Sequence, residues 1–151
     1  MLDKTKRICI GSDHAGFETK KHIINYLDSE GIAYDDFGCY SSESVDYPDV
    51  AHKLAYKVSV GEYEKGILVC GSGNGVCMTA NKYINVRAAL VWSNEITELA
   101  RLHNDANILC IPGRFVSNDE AVDFVKIFFS TQFEGGRHER RVEKIKNDFI
   151  K

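Results

Sequence analysis

The stretch Ile67–Lys82, ILVCGSGNGVCMTANK, places a thiol at the end of an apolar run and follows it with Gly71, Ser72, Gly73, Asn74 and Gly75. Glycines admit positive φ and let a backbone come close to a ligand. Backbone N–H groups that lead into a helix suit an anion, either a phosphate or an oxyanion that develops during a reaction. One glycine would read as a tight strand-to-helix turn. Three, interleaved with Ser72 and Asn74, read as a ligand loop. Cys70 has two readings from position alone. It is a small buried hydrophobe ending a strand, or a thiol beside a helix start that can move protons. Cys9, Cys39, Cys77 and Cys110 read as core residues.

Two further groups carry chemistry. His103-Asn104-Asp105 closes an expected helix and reads by default as a polar cap. Arg137 and Arg141 stand four apart and share a helix face, with His138 three residues from Arg141. Gly135-Gly136 puts these cations at a helix start, where the dipole disfavours them. A bound anion would offset that repulsion, so the pattern reads as a phosphate site. The usual nucleotide motifs are missing. No Gly-Lys-Ser/Thr follows the loop, and neither Gly71 nor Gly73 begins a Gly-x-Gly-x-x-Gly fingerprint.

Short apolar runs that alternate with amphipathic ones must position these groups. Strands are expected at Arg7–Ser12, Ala33–Phe37, Gly66–Cys70, Arg87–Val91 and Ile108–Ile111. Helices are expected over Phe17–Glu30, Asp49–Val60 (with Pro48 near the first turn) and Gly75–Lys82. A further helix follows Ser93 as N-cap, another follows a Ser117/Glu120 capping box, and the last spans Arg137–Ile150. The alternation predicts a three-layer, doubly wound α/β fold of flavodoxin-like or Rossmann-like kind. Its five-stranded parallel sheet is expected in the order 2-1-3-4-5, with a C-terminal helix. In that order the ligand crevice lies beyond the ends of the first and third strands. Gly11-Ser12-Asp13-His14 and Cys70-Gly71-Ser72-Gly73 then converge.

The 151 residues suit a single domain, 1–151. A net charge of -3 gives no global basic field for nucleic acid. No apolar run reaches membrane-span length. Met1–Arg7 is charged and leads straight into a strand, without a secretory pattern. Five scattered cysteines and no C-x-x-C pair fit a reducing cytoplasm rather than a disulfide framework.

Five segments in register resemble a known family: GSDHAGF (11–17), SSESVDYPD (41–49), CGSGNGVCMTANK (70–82), HNDAN (103–107) and EGGRHERRV (134–142). Together they resemble the type B ribose-5-phosphate isomerases and the related galactose- and allose-6-phosphate isomerases, over nearly the full chain. The resemblance implies interconversion of ribose 5-phosphate and ribulose 5-phosphate through an enediolate, with no cofactor and no metal. It implies Cys70 as the base, with the Gly71–Gly75 backbone stabilising the enediolate oxygen and Ser72 nearby. Asp13 and His103 would open the sugar ring. His14, Arg114, Arg137 and Arg141 would hold the phosphate, and Tyr47 and Asn104 would line the sugar pocket with Gly71, Gly73, Asn74 and Gly75. It also implies a homodimer or larger assembly with shared sites. Some similar chains place a Glu base where Val76 stands here, so this chain is similar to the cysteine-type subgroup. A hexose-6-phosphate isomerase, a non-catalytic sugar-phosphate-binding module and a redox sensor built on Cys70 stay open as alternatives. A phosphoryl receiver would need an acid where Cys70 stands.

Overall fold

A computed structural model describes residues 6–146. Five parallel strands form one sheet: β1 (Ile8–Ser12), β2 (Tyr34–Asp36), β3 (Gly66–Cys70), β4 (Ala88–Leu90) and β5 (Ile108–Pro112). Six α-helices accompany them: α1 (Phe17–Ser29), α2 (Tyr47–Ser59), α3 (Asn74–Ala80), α4 (Asn94–Leu102), α5 (Asn118–Ser130) and α6 (Arg137–Ile145). A 3-10 turn, His14–Gly16, joins β1 to α1. The expected last helix is present to Ile145, with Lys146 as its C-cap; residues 147–151, with the expected end at Ile150, and 1–5 lie outside the described residues.

The layered architecture is as expected, but the strand order is not. The sheet runs β2-β1-β3-β5-β4, so the last two strands exchange places relative to 2-1-3-4-5. Composition explains the exchange. β5, ILCIP, is buried at every position, whereas the three residues of β4, AAL, are only half-buried. The strand with two apolar faces goes to the centre beside β3. The short one takes the edge, where the Asn81 side chain caps its open backbone. Asn81 Nδ2 donates to Ala88 O and Ala88 N–H donates to Asn81 Oδ1, both at 2.9 Å. The crossover between β1 and β3 is untouched by this change.

Alternate residues of each strand feed two cores. Ile8, Ile10, Ile67, Val69, Leu109 and Ile111 pack against α1, α4 and α5, where Phe124 and Phe128 are the largest buried rings. Cys9, Leu68, Cys70, Ile108 and Cys110 face α2 and α3 instead, with Leu54 and Val76. The period of two in the strands thus assigns Cys70 to the α2/α3 side. Capping sets the helix starts. Ser93 Oγ accepts from Ile96 N–H at 3.2 Å, and Ser117 and Glu120 make the reciprocal box at 3.1 and 2.7 Å.

Candidate active site

Three loops meet beyond the C-terminal ends of β1, β3 and β5. Gly113 N–H donates to Cys70 O (2.8 Å) and Arg114 N–H to Gly71 O (3.1 Å), which stitches the loop after β5 to the loop after β3. Asp13 N–H donates to Val69 O at 3.2 Å, which does the same for the loop after β1. Gly16 lies so close to β3 that a Cβ there would sit 2.6 Å from the Val69 carbonyl oxygen. A Cβ on Gly71 would lie 3.4 Å from Arg114 Cδ and Nη1 and 3.6 Å from the Ala15 methyl. The Arg114 guanidinium therefore overhangs the glycine loop, and Ala15 closes it from the other side.

Each side chain here is held by its own loop. Asp13 is buried, and its Oδ1 accepts from Gly16 N–H at 3.0 Å as the cap of the 3-10 turn. His14 Nδ1 accepts from Val45 N–H at 3.2 Å, tying residues 41–46 over the crevice. An accepting Nδ1 leaves Nε2 as the nitrogen that can donate to a ligand. The Tyr47 ring rests on Gly75, where a Cβ would meet ring carbons at 2.5 Å. Gly73 takes a left-handed φ of 74° as the residue before α3, and Ser72 Oγ accepts from Asn74 N–H at 3.3 Å. Cys70 ends β3 with only 4 % of its surface exposed, its side chain among the residues that face α2 and α3. The structure thus brings together Asp13, His14, Tyr47, Cys70, Gly71, Ser72, Gly73, Asn74, Gly75 and Arg114.

His103, Asn104, Arg137 and Arg141 do not join them. α4 runs back against the strands, so His103, its C-cap, stands beside the strand N-termini. Arg87 Nε donates to Asp105 O at 2.9 Å and Asn107 N–H to Arg87 O at 2.9 Å, which fixes that turn at the start of β4 and β5. β5 alone spans about 16 Å at roughly 3.3 Å per residue. The expected site residues of one chain therefore fall into two groups at opposite ends of the strands.

The second group is tightly built. The buried Arg101 guanidinium donates to Asp105 Oδ1 (2.9 Å), Ala106 O (2.6 Å) and Thr131 O (3.2 Å), joining the His103–Asp105 turn to the start of the loop that precedes α6. Glu134 N–H donates to Leu102 O at 3.1 Å. The His103 and His138 rings stack, with centroids 4.2 Å apart and planes 15° from parallel. Glu134 Oε2 lies 3.8 Å from Nε2 of His103 and 4.0 Å from Nε2 of His138. Burial, with His103, Arg137 and Arg141 adding to it, holds His138 below the ordinary histidine range, and Glu134 opposes this. The ligating atoms of His103, Glu134 and His138 lie within 4.8 Å of one another. Near-parallel rings, however, aim their lone pairs side by side, so neither ring can turn toward a shared ion without breaking the stack. Glu134 opens the segment EGGRHERRV but has no role in the sequence reading; its place four residues before His138 is the signal that could have given it one.

The other thiols differ from Cys70 in setting. Burial pushes Cys9 and Cys110 well up, and the Cys110 S–H donated to Cys77 draws Cys77 down. All remain free thiols.

Residues 8–145 match the family model described as ribose/galactose isomerase. The chain belongs to this family. The probable ribose-5-phosphate isomerase B of Mycoplasma pneumoniae is 45 % identical over 139 residues, 91 % of each chain. The crystal structure of a ribose 5-phosphate isomerase from Thermotoga maritima superposes with a TM-score of 0.91 at 49 % identity, covering 93 % of this chain and 97 % of that one. A third, ribose-5-phosphate isomerase B from Mycoplasma genitalium with bound ribulose-5-phosphate, gives 0.89 at 44 % identity over 94 % and 95 % of the two chains. In this chain of the ribose/galactose isomerase family, the strand-end thiol and the glycine loop occupy the crevice where open α/β sheets bind ligands.

Proposed function

We propose that this chain is an aldose–ketose isomerase that interconverts ribose 5-phosphate and ribulose 5-phosphate. The observation that carries the reading is a thiol and an anion loop at the β1/β3 crossover of a chain in the ribose/galactose isomerase family. Cys70 removes the proton from C2 of the open-chain aldose, the O2 proton passes to O1 in the enediolate, and Cys70 returns its proton at C1. The charge that develops on the substrate oxygen falls beside the Gly71–Gly75 backbone, with Ser72 nearby, where fixed dipoles stabilise it without reorganising. Because Cys70 is buried, the reacting carbons are kept from bulk water. Asp13 and His103 open the furanose: His103 gives a proton to the ring oxygen as the C1–O bond breaks, and Asp13 takes the proton of the anomeric hydroxyl. His14, Arg114, Arg137 and Arg141 hold the phosphate, and Tyr47 and Asn104 line the sugar. No cofactor and no metal take part.

Two groups at opposite ends of the strands support an assembly of at least two copies. In it, the Cys70 crevice of one is completed by the His103, Asn104, Arg137 and Arg141 group of another. The unit is a single domain, 1–151, acting in the cytoplasm. Among the described residues no helix is long and apolar enough to cross a membrane. The family description also names galactose, which makes a hexose phosphate the second substrate of this reading.

The test is to follow ribulose 5-phosphate formation from ribose 5-phosphate, with a chelator present, beside a Cys70→Ala variant and an allose 6-phosphate control. Chelator-resistant turnover that falls by about 10² or more in the variant, the scale of a lost acid–base group, supports the reading. Preference for the hexose phosphate moves the assignment to the second substrate. Folded parent protein that turns over neither sugar overturns it.

A further inference from the structure

His103 does not stand alone at the end of α4. Its ring lies against His138, and the two centroids are 4.2 Å apart. His138 is buried, and its Nε2 has no hydrogen-bond partner. A buried polar atom left in this way is costly, and more so if the ring carries charge, unless it finds a partner in the working state. His103 is the open member of the pair, with 36 % of its side chain exposed against 7 % for His138. Glu134 reaches both rings on the Nε2 side, and its backbone N–H is anchored to Leu102 O, one residue before His103.

Charges around the stack decide how many protons it holds. The groups that face it are the two rings themselves, Glu134 from the loop before α6, and Arg137 and Arg141 from α6. Two imidazolium rings at stacking distance repel each other, and the two guanidiniums oppose charge on His138 further. Of these neighbours only the Glu134 carboxylate favours a proton. One carboxylate offsets one charge. The geometry points to Glu134 and His138 as positioning residues for His103: His138 is an uncharged, buried platform, and Glu134 holds on the stack the one proton that repulsion between the rings allows, which the exposed His103 ring exchanges with the sugar.

This inference rests on the isomerase reading and adds residues to it. It gives ring opening a defined donor. The proton leaves His103 for the ring oxygen, the C1–O bond breaks, and the pair returns to neutrality with Glu134 still charged. The proton lost from the anomeric hydroxyl to Asp13 balances the step. Without Glu134 the stack should surrender its proton at lower pH.

The experiment compares the parent protein with Glu134→Gln, Glu134→Asp, His138→Phe and His138→Ala. Three readouts serve: kcat/KM on ribose 5-phosphate across pH, the isotope effect of C2-deuterated substrate, and ring-nitrogen NMR of the substrate-free proteins. Glu134→Gln is expected to lower kcat/KM about tenfold, a fraction of a full acid–base contribution, with the loss growing as pH rises. Its C2 isotope effect should fall toward unity, because ring opening then limits the rate. Glu134→Asp should recover part of the loss. His138→Phe, which keeps a stacking face without nitrogens, should retain more activity than His138→Ala. An unchanged pH profile and isotope effect in folded Glu134→Gln would overturn the inference, even if its rate fell. A loss in His138→Phe equal to that in His138→Ala would overturn the platform role. Failure of the parent to turn over substrate would count against the isomerase reading. The NMR titrations would then still decide whether Glu134 holds the proton on the stack.

Discussion

Pairing a variant broken at one end of the strands with a variant broken at the other tests whether the site is shared. Cys70→Ala disables the crevice beyond β1 and β3. His103→Asn/Arg141→Ala disables the group at the end of α4 and on α6. Within one chain these groups are separated by at least the length of β5, about 16 Å, which exceeds the reach of a pentose phosphate between its base and its ring-opening acid. If one site draws the two groups from different copies, a heterodimer of the two variants holds one site with both lesions and one with neither. Co-expression with two affinity tags isolates that heterodimer. Each homodimeric variant should fall by about 10² or more, and the heterodimer should recover about half the parental turnover per dimer. Random exchange between the two purified variants should approach about one quarter, since half of the dimers formed are mixed. A purified heterodimer no more active than its parents would refute the shared site and the separation on which it rests.

Further expectations follow from particular contacts. Gly75→Ala places a methyl group where the Tyr47 ring now lies, 2.5 Å from its carbons. Gly75 lies within α3, where alanine is otherwise favourable. Thermal stability should therefore hold while kcat/KM falls by about tenfold or more, as a displaced sugar contact would cause. The Asp35 carboxylate, hydrogen-bonded by Arg7 and then Tyr63, is held at about 2 from an ordinary 3.8, and Tyr63 is pushed up to about 12 from 10.0 chiefly by that same bond. A depressed acid stabilises the fold above its unfolded value and loses that effect as pH falls from 3.8 to about 2; a raised tyrosine loses it as pH climbs from 10.0 to about 12. The urea midpoints of the parent and Asp35→Asn should therefore differ most between these limits and converge beyond them, and a constant difference would count against the assignment. Phe128→Ala, at a fully buried ring between the sheet and α4, should cost about 3–5 kcal/mol in chemical unfolding.

The crevice was legible because its signals are local. Cys70 ends an apolar run, the glycines follow at once, and the β1/β3 crossover depends only on the first three strands. The capping pairs at Ser93 and Ser117 were legible for the same reason. The order of β4 and β5 was not read correctly, although AAL against ILCIP held the information: which strand is buried on both faces is a competition between segments. The division of the site between the two strand ends was also present in the alternation. A helix that follows a parallel strand must finish at the opposite end of the strands, so HNDAN could not sit beside Cys70 of its own chain. The resemblance implies sites shared between copies; the direction of each element adds which of the expected residues lie apart within one chain.

Placement, more than residue type, separates Cys70 from the other thiols of the sheet. Cys9, Cys70 and Cys110 all point to the α2/α3 side of the sheet, and all are buried. Cys9 precedes the middle of β1 and Cys110 lies in the middle of β5, so strands and helices surround them and burial only resists ionisation. Cys70 is the last residue of its strand. One step beyond it the chain leaves the sheet, Arg114 overhangs Gly71, and the glycine backbone opens toward ligand. A thiol one register earlier would point into the opposite core with Val69. A thiol one register later would replace Gly71 and meet Arg114 and Ala15. The end of β3 is thus the one position in this loop where a side chain is walled by the core and still adjoins the space where an oxyanion would form.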